Sequence, residues 1–306
     1  MKRRIALLVV ALIAVGVYPF MKGEASGNNI EKLREGLNPA IRIPPEDEPF
    51  DLTAADPVVR GREVVRKWDH WDYGYGDMKA EYELINTDKE GRTSKRRMRL
   101  RMLETSGYDE NGDKTDGDKS LVEFTYPPDI KGTTVLIHAH IDRPDDTWVY
   151  LPALKRVKRI SSANLSGKFA GTEFAYEDIA SQELKKFTYK WLRGEQLGEG
   201  AENCETNVVE QFPTYKNSGY IRQISWYNKA ACQQKRIDYY SHQDVLVKTQ
   251  TFQNYKQYLG RYWRGHDIKM VNHVTGKSSH LLIPEFTYRN GFSERDFEAS
   301  KLKMMR

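Results

Sequence analysis

The sequence is poor in cysteine and lacks the motifs that mark several common enzyme classes. Only Cys204 and Cys232 occur among 306 residues, which excludes a metal cluster held by cysteines. There is no G-x-S-x-G nucleophile elbow, no phosphate-binding loop and no dinucleotide-binding glycine pattern. We therefore predict no enzymatic activity, no catalytic residues and no cofactor.

Long apolar runs are also scarce. The longest, residues 5–17, follows three basic residues and is shorter than the roughly 20 residues that cross a bilayer. Gly23 and Ala25 form a small-x-small cleavage site. These features predict a signal peptide over residues 1–25, with an uncleaved anchor as the alternative. No cysteine lies near the site, so the chain cannot be acylated there as a lipoprotein.

Export affects the interpretation of the two cysteines. An oxidising compartment permits a disulfide between Cys204 and Cys232. The bond would close a loop of about 28 residues and add roughly 3 kcal/mol in a chain-entropy model. We predict this disulfide from the compartment.

Removal of the signal peptide on export would also change the net charge of the protein. The whole chain carries a net charge of +5, but removal of residues 1–25 leaves only +2. The basic character therefore owes much to the targeting signal, and we predict no nucleic-acid partner.

Polar, proline-rich sequence fills residues 26–55, which we interpret as an extended leader. Asp56 and Pro57 predict a helix start, with the folded domain running over residues 56–306. From Met78 onward, apolar and polar residues alternate in about ten or eleven segments, without internal repeats or β-α-β alternation. The pattern predicts a mainly β (α+β) protein with one curved antiparallel sheet.

The stretch 147–179 combines a strand with Trp148 and Tyr150, a cationic run and a Gly/Ser-rich loop with spaced aromatic residues. An apolar and cationic segment beside a loop suits a gate over an apolar cavity. An edge strand followed by a solvated basic loop is the alternative.

Histidines 138 and 140 are the best sign of an enzyme. Residues two apart on a strand share a face, so both imidazoles could bind one metal ion. The other histidines show no metal-binding spacing, and we predict no metal site. A periplasmic metalloenzyme remains the least favoured alternative.

A resemblance to a known family rests on these segments: DPVVRGREVV, GYGDM, FTYPPDIKGT, DDTWVYLPALKRVKRISS, FAGTEFAYEDI, YKQYLGRYWRGHDIKMVNHVTGK and GFSERDF. They resemble the LolA-like family of outer membrane lipoprotein-sorting proteins. The resemblance extends from about Asp56 to the C-terminus, and the LPALKRVKRI segment is its most specific part.

The resemblance implies an incomplete β-barrel around a hydrophobic cavity, lidded by short helices. It implies a carrier in the periplasm of a Gram-negative bacterium that moves lipid or lipoprotein acyl chains toward the outer membrane. Such a carrier would contact membranes transiently. The family is also associated with inner-membrane exporters of the resistance-nodulation-division (RND) type, so an accessory exporter subunit without its own cargo is the second hypothesis.

The resemblance and the composition of the central stretch also suggest site residues. We predict cavity or lid contacts by apolar and aromatic side chains: Trp148, Tyr150, Leu151, Phe169, Phe174 and Tyr176. A lipid headgroup or a partner protein would contact Lys155, Arg156 and Arg159.

Overall fold

The computed structural model describes residues 50–105, 107–109, 113–180 and 182–304. The predicted signal peptide and the leader as far as residue 49 lie outside these residues. Among the described residues, no helix has the length and apolar character needed to cross a membrane.

Fourteen strands form a single antiparallel sheet. Their bounds are β1 (Asp77–Thr87), β2 (Thr93–Leu103), β3 (Lys119–Tyr126), β4 (Thr134–His138), β5 (Asp146–Leu151), β6 (Arg156–Ile160), β7 (Phe187–Leu197), β8 (Cys204–Pro213), β9 (Arg222–Asn228), β10 (Gln234–Tyr240), β11 (Leu246–Tyr258), β12 (Tyr262–Asn272), β13 (Ser278–Leu282) and β14 (Phe286–Tyr288). The α-helices are α1 (Pro57–Trp71) and α2 (Tyr176–Ile179). Short 3₁₀ helices span Pro152–Leu154, Ser162–Asn164, Phe169–Gly171, Leu184–Lys186, Gly200–Glu202, Glu294–Phe297 and Ala299–Lys303.

The sheet consists of two meanders, β1–β6 and β7–β13, joined side by side where β1 pairs with β13. Strands β6 and β7 are the edges, so the sheet is curved but not closed. This confirms the predicted mainly β fold. The number of strands was underestimated, because β6 looks like a basic loop in the sequence and because Pro284 separates β13 from β14.

Helix α1 begins where the sequence predicts. The Asp56 side chain accepts a hydrogen bond from the Val58 amide at 2.8 Å, and Pro57 occupies the first helical turn. Val64 and Val65 bury their side chains against β7 and its neighbours. Gly61 permits this close packing, since a Cβ there would lie 2.5 Å from the Trp191 amide nitrogen.

Residues 161–186 connect the two edge strands, and we name them the crossover segment. They run across the concave face and include α2. Phe169 packs on Phe124 of β3 with ring centroids 5.8 Å apart, and Phe174 is also buried in this core. On the opposite face of the sheet, Phe297 and Leu302 of the C-terminal 3₁₀ helices cover Leu121 and Leu136.

Candidate functional site

A cavity of about 440 Å³ lies on the concave face. Its wall contains a row of four apolar side chains on adjacent strands, directly opposite one another in register: Phe252 (β11), Ile268 (β12), Leu281 (β13) and Leu84 (β1). Cross-strand partners point to the same face of a sheet. The apolar wall therefore spans the junction of the two meanders.

The first meander continues this wall. Met98, Leu100 and Met102 of β2 line the cavity, together with Val122 of β3 and Ile137 of β4. The alternation of methionine and leucine with arginine along β2 predicts one buried and one wet face, and Met98 and Leu100 are indeed buried.

One end of the cavity is polar and is built around the C-terminal end of α1. Asp69 and Asp72 of this region line the cavity, and so does Arg264, which forms an ion pair with Asp72. Arg261 holds the end of the helix by donating to the backbone carbonyls of His70 and Trp71, both at 3.1 Å.

Asp69 is a strongly perturbed acid of this end. It accepts a hydrogen bond from the Tyr73 hydroxyl at 2.5 Å. Burial, reinforced by the nearby Glu183 carboxylate, raises the pKa of Asp69 to about 7. The polar end thus contains a carboxyl group that titrates near neutral pH.

Lys114 contributes a buried cation beside Asp69. Its ammonium group donates to both Asp118 carboxylate oxygens at 2.8 and 2.9 Å and lies 3.7 Å from Glu104. Burial alone would lower the pKa of Lys114, but Asp118 and Glu104 raise it well above its ordinary value. This group therefore stays charged within the cavity wall.

The crossover segment is held in place by buried carboxylates. Glu177 accepts hydrogen bonds from Tyr215 Oη at 3.0 Å, Ser218 Oγ at 2.8 Å and the Gly219 amide at 2.8 Å. Asp178 accepts from Lys248 Nζ at 3.2 Å. These contacts fix the segment to the second meander.

Further anchors lie at the middle of the segment. Glu173 forms an ion pair with Lys168 at 2.7 Å and accepts from Asn272 at 2.7 Å. The Ala170 carbonyl accepts a hydrogen bond from Arg96 of β2. The segment is therefore tied to both meanders.

The structure divides the six predicted cavity or lid residues. Phe169 and Phe174 line the cavity. Leu151 and Tyr176 pack against the apolar core that contains Phe169 and Phe174, but they do not line the cavity. Trp148 and Tyr150 point the other way, into the cluster of Phe297 and Leu302. The alternation of side chains along β5 explains this, since Val149 and Leu151 face the concave side and the residues between and before them face the other.

The three predicted cations do not converge. Arg156 pairs with Leu151 in register and shares its face of the sheet. Arg159 shares the opposite face with Trp148, lies over its ring and forms an ion pair with Asp146. Lys155 occupies the β5–β6 turn with a φ of 48°.

Both cysteines are free thiols in the structure. Cys204 begins β8 near Lys235 and Glu202, whereas Cys232 lies in the β9–β10 turn near Lys67 and Arg261, where it lines the cavity. Their surroundings differ, and the predicted disulfide is not present in this structure.

The two strand histidines have separate partners. His138 Nε2 donates to the Phe297 carbonyl at 2.7 Å, while His140 Nε2 lies 3.1 Å from Asp146. Among the described residues, no group of three or more His, Cys, Asp or Glu side chains has the geometry of a metal site.

The sequence analysis did not predict most of the residues that line the cavity. The row from Phe252 to Leu84 and the polar end with Asp69, Lys114 and Arg264 come from segments far apart in the chain. The alternation of apolar residues in β11 and β12 signals a buried face, but the sequence does not show which strands enclose the same space.

Comparisons with known proteins agree with this architecture. A family model for uncharacterized proteins matches residues 116–304. A candidate outer membrane lipoprotein-sorting protein domain from Vibrio parahaemolyticus is 43% identical, with a TM-score of 0.74 over 80% of this chain and 98% of that chain. None of the curated proteins compared with the chain matches it.

Two further solved structures are similar. A DUF1329 family protein from Desulfovibrio piger is 26% identical, with a TM-score of 0.73 over 81% of this chain and 100% of that one. A LolA superfamily protein from Nitrosomonas europaea is 19% identical, with a TM-score of 0.60 over 78% of this chain and 98% of that one, and shares the fold. The family expected from the sequence motifs is thereby confirmed: the chain belongs to the LolA-like family of outer membrane lipoprotein-sorting proteins.

Proposed function

We propose that this protein is a periplasmic carrier that binds lipid, or the acyl chains of lipoproteins, and passes them toward the outer membrane without covalent chemistry. The observation that carries the proposal is the apolar cavity between the strands and the crossover segment. The 43% identity to a lipoprotein-sorting domain supports the same class of cargo.

The size and lining of the cavity suit an acyl chain. Its volume of about 440 Å³ falls within the roughly 300–1,000 Å³ of small-molecule sites. Each methylene group moved from water into an apolar site contributes about 0.8 kcal/mol, so part of one acyl chain already gives useful affinity. The row from Phe252 to Leu84 would contact that chain.

The polar end gives the cargo an orientation. An amphiphile would place its apolar chain along the strands and its polar group near Asp69, Lys114 and Arg264, where charged side chains already line the wall. A cavity that was apolar throughout would not distinguish the two ends.

The direct test is native mass spectrometry of the protein isolated from its own periplasm, followed by organic extraction. We expect a lipid or acylated peptide in near-stoichiometric amount. Ile268→Trp should reduce the fraction of protein that carries lipid severalfold, because the larger side chain would occupy cavity space between Phe252 and Leu281.

The matched control is Thr287→Trp, which places the same ring at an exposed position of β14. Wild-type protein that stays empty after incubation with lipid extracts would contradict the carrier function and favour an accessory role beside an exporter. Equal loss of cargo in both tryptophan variants would mean that the cavity is not the binding site.

A further inference from the structure

Exposed apolar side chains are concentrated along one edge of the sheet, here meaning the side where strands end and turns connect them. In an antiparallel meander, alternate turns lie at the same edge. Six connections share one edge, those of β1–β2, β3–β4, β5–β6, β8–β9, β10–β11 and β12–β13, because β1 and β13 pair with Thr87 opposite Ser278. The β1–β2 turn, residues 88–92, is charged and forms ion pairs within itself. We name four of the others the turn edge: residues 126–133 (with Tyr126 at the end of β3), 152–155, 241–245 and 273–277.

Each of the four turns presents a large apolar side chain to solvent. The exposed fractions are 48% for Tyr126, 55% for Leu154, 55% for Val245 and 70% for Val274. At the opposite edge, the β11–β12 turn exposes Leu259 to 39%. Single exposed apolar residues are ordinary, but their recurrence in four of the six connections at one edge defines a surface.

Cations accompany these side chains. Lys131, Lys155, Arg156 and Lys277 are exposed and lie in or directly beside the turn edge. None of the four forms an ion pair with a described residue, whereas Asp244 of the same edge is paired with Arg222. Asp129, the other acid of the turn edge, is exposed and forms no ion pair with a described residue. Four unpaired cations therefore outnumber one unpaired carboxylate, and the charge left unbalanced at this edge is positive.

The crossover segment is anchored just inside the same edge. Its Ala170 carbonyl is held by Arg96 near the start of β2, and its Glu173 by Asn272 at the end of β12. Asp178 is held by Lys248 near the start of β11. The segment that covers the cavity thus lies next to the exposed apolar turns.

We propose that the turn edge docks on a lipid bilayer with anionic headgroups. Apolar side chains that enter the interface, together with unpaired basic residues, are the combination that binds such surfaces. Docking here would bring the crossover segment to the membrane, where cargo enters or leaves. The inference rests on the proposed function for its purpose, but the surface can be tested without cargo.

The test is flotation of the purified full-length protein with two kinds of vesicle, phosphatidylcholine alone and phosphatidylcholine with phosphatidylglycerol. We expect association with the anionic vesicles. Leu154→Ser/Val274→Ser should weaken it about tenfold through lost apolar contact. Lys155→Gln/Arg156→Gln should weaken it by about fivefold for each charge removed, on the anionic vesicles alone.

Leu259→Ser is the matched control, since it removes an exposed leucine from a turn of the opposite edge. It should leave association unchanged, and circular dichroism should show that all variants fold. Absence of wild-type association with anionic vesicles, or equal weakening by Leu259→Ser, would overturn the proposal.

Light scattering separates a second copy of the chain from a bilayer as the occupant. A wild-type dimer that Leu154→Ser/Val274→Ser converts to a monomer, with vesicle association unchanged, would assign the turn edge to self-association and overturn the proposal. Cargo that extracts normally from a protein unable to associate with vesicles would refute the docking surface and leave the carrier function standing.

Discussion

Asp69 shows how the cavity wall changes an ordinary carboxyl group. Its neighbours Tyr73, Glu183 and Lys114 come from the turn after α1, the crossover segment and the loop before β3. Burial and the second acid outweigh the Tyr73 hydrogen bond and the Lys114 charge, so the pKa rises to about 7. When an acid has a higher pKa in the folded protein than in the unfolded chain, the folded state keeps its proton up to a higher pH.

We predict that Asp69→Asn stabilises the protein at about pH 8 and changes its stability little near pH 4. In the wild type, this group's contribution to the free energy of unfolding falls as the pH rises from about 4 to about 7, because the folded state must give up a proton that the unfolded state has already lost. Each unit of pKa difference is worth about 1.4 kcal/mol, so the gain should be on the order of 2–4 kcal/mol. Urea unfolding of both proteins across this pH range measures it.

Asp142→Asn serves as the control, because Asp142 is an exposed carboxyl group. It should leave the pH profile unchanged. Parallel stability curves for wild type and Asp69→Asn would show that Asp69 ionises normally.

At the scale of elements, the crossover segment differs from the strands it covers. Its α-helix is only four residues long, and it is held by side-chain hydrogen bonds to Glu173, Glu177 and Asp178 in addition to a few backbone contacts. Because the strands are secured by ladders of backbone hydrogen bonds, the segment should open at a lower free energy than the sheet.

We predict that Glu177→Ala loosens the crossover segment selectively. The substitution leaves Ser218 Oγ and the Gly219 amide without their acceptor, at a cost of about 1–3 kcal/mol. Hydrogen exchange should accelerate over residues 165–182, while peptides from β10 and β11 keep their protection. Lys216→Ala, an exposed residue of the β8–β9 loop, is the control. Faster exchange throughout the sheet would show that the segment does not open on its own.

At the scale of the whole molecule, the two meanders share one hydrophobic core. Leu84, Met98 and Phe124 of the first meander belong to the same buried cluster as Ile237, Tyr239 and Met270 of the second. The pairing of β1 with β13 also makes the hydrogen-bonded sheet continuous. The halves should therefore unfold together.

We predict that Leu84→Ala destabilises both meanders equally. Leu84 is 1% exposed and lies on β1 at the junction, so the lost side chain should cost about 2–5 kcal/mol. Hydrogen exchange under mildly denaturing conditions should accelerate alike in β4 and β10. Val58→Ala, at a residue 53% exposed on α1, should have little effect. Acceleration in the first meander alone would mean that the halves unfold independently.

Local patterns predicted many of the elements. Asp56 and Pro57 marked the start of α1, and the alternation over Arg97–Met102 marked the two faces of β2, because capping and side-chain alternation depend on near neighbours. The family was also evident from short motifs such as LPALKRVKRI. Strand β6 was missed because its cations resemble a solvated loop, although pairing with β5 makes it an edge strand.

The sequence by itself therefore determined the start of α1, the alternating strands and the family of the protein. Only the tertiary structure decided which side chains enclose the cavity. Trp148 and Tyr150 directly precede the most specific segment, LPALKRVKRI, yet face away from the cavity, because the pairing of β5 with β4 and β6 orients them toward the C-terminal helices. Phe252, Ile268, Leu281 and Leu84 meet because sheet register joins strands from both ends of the chain, and register depends on contacts distant in sequence.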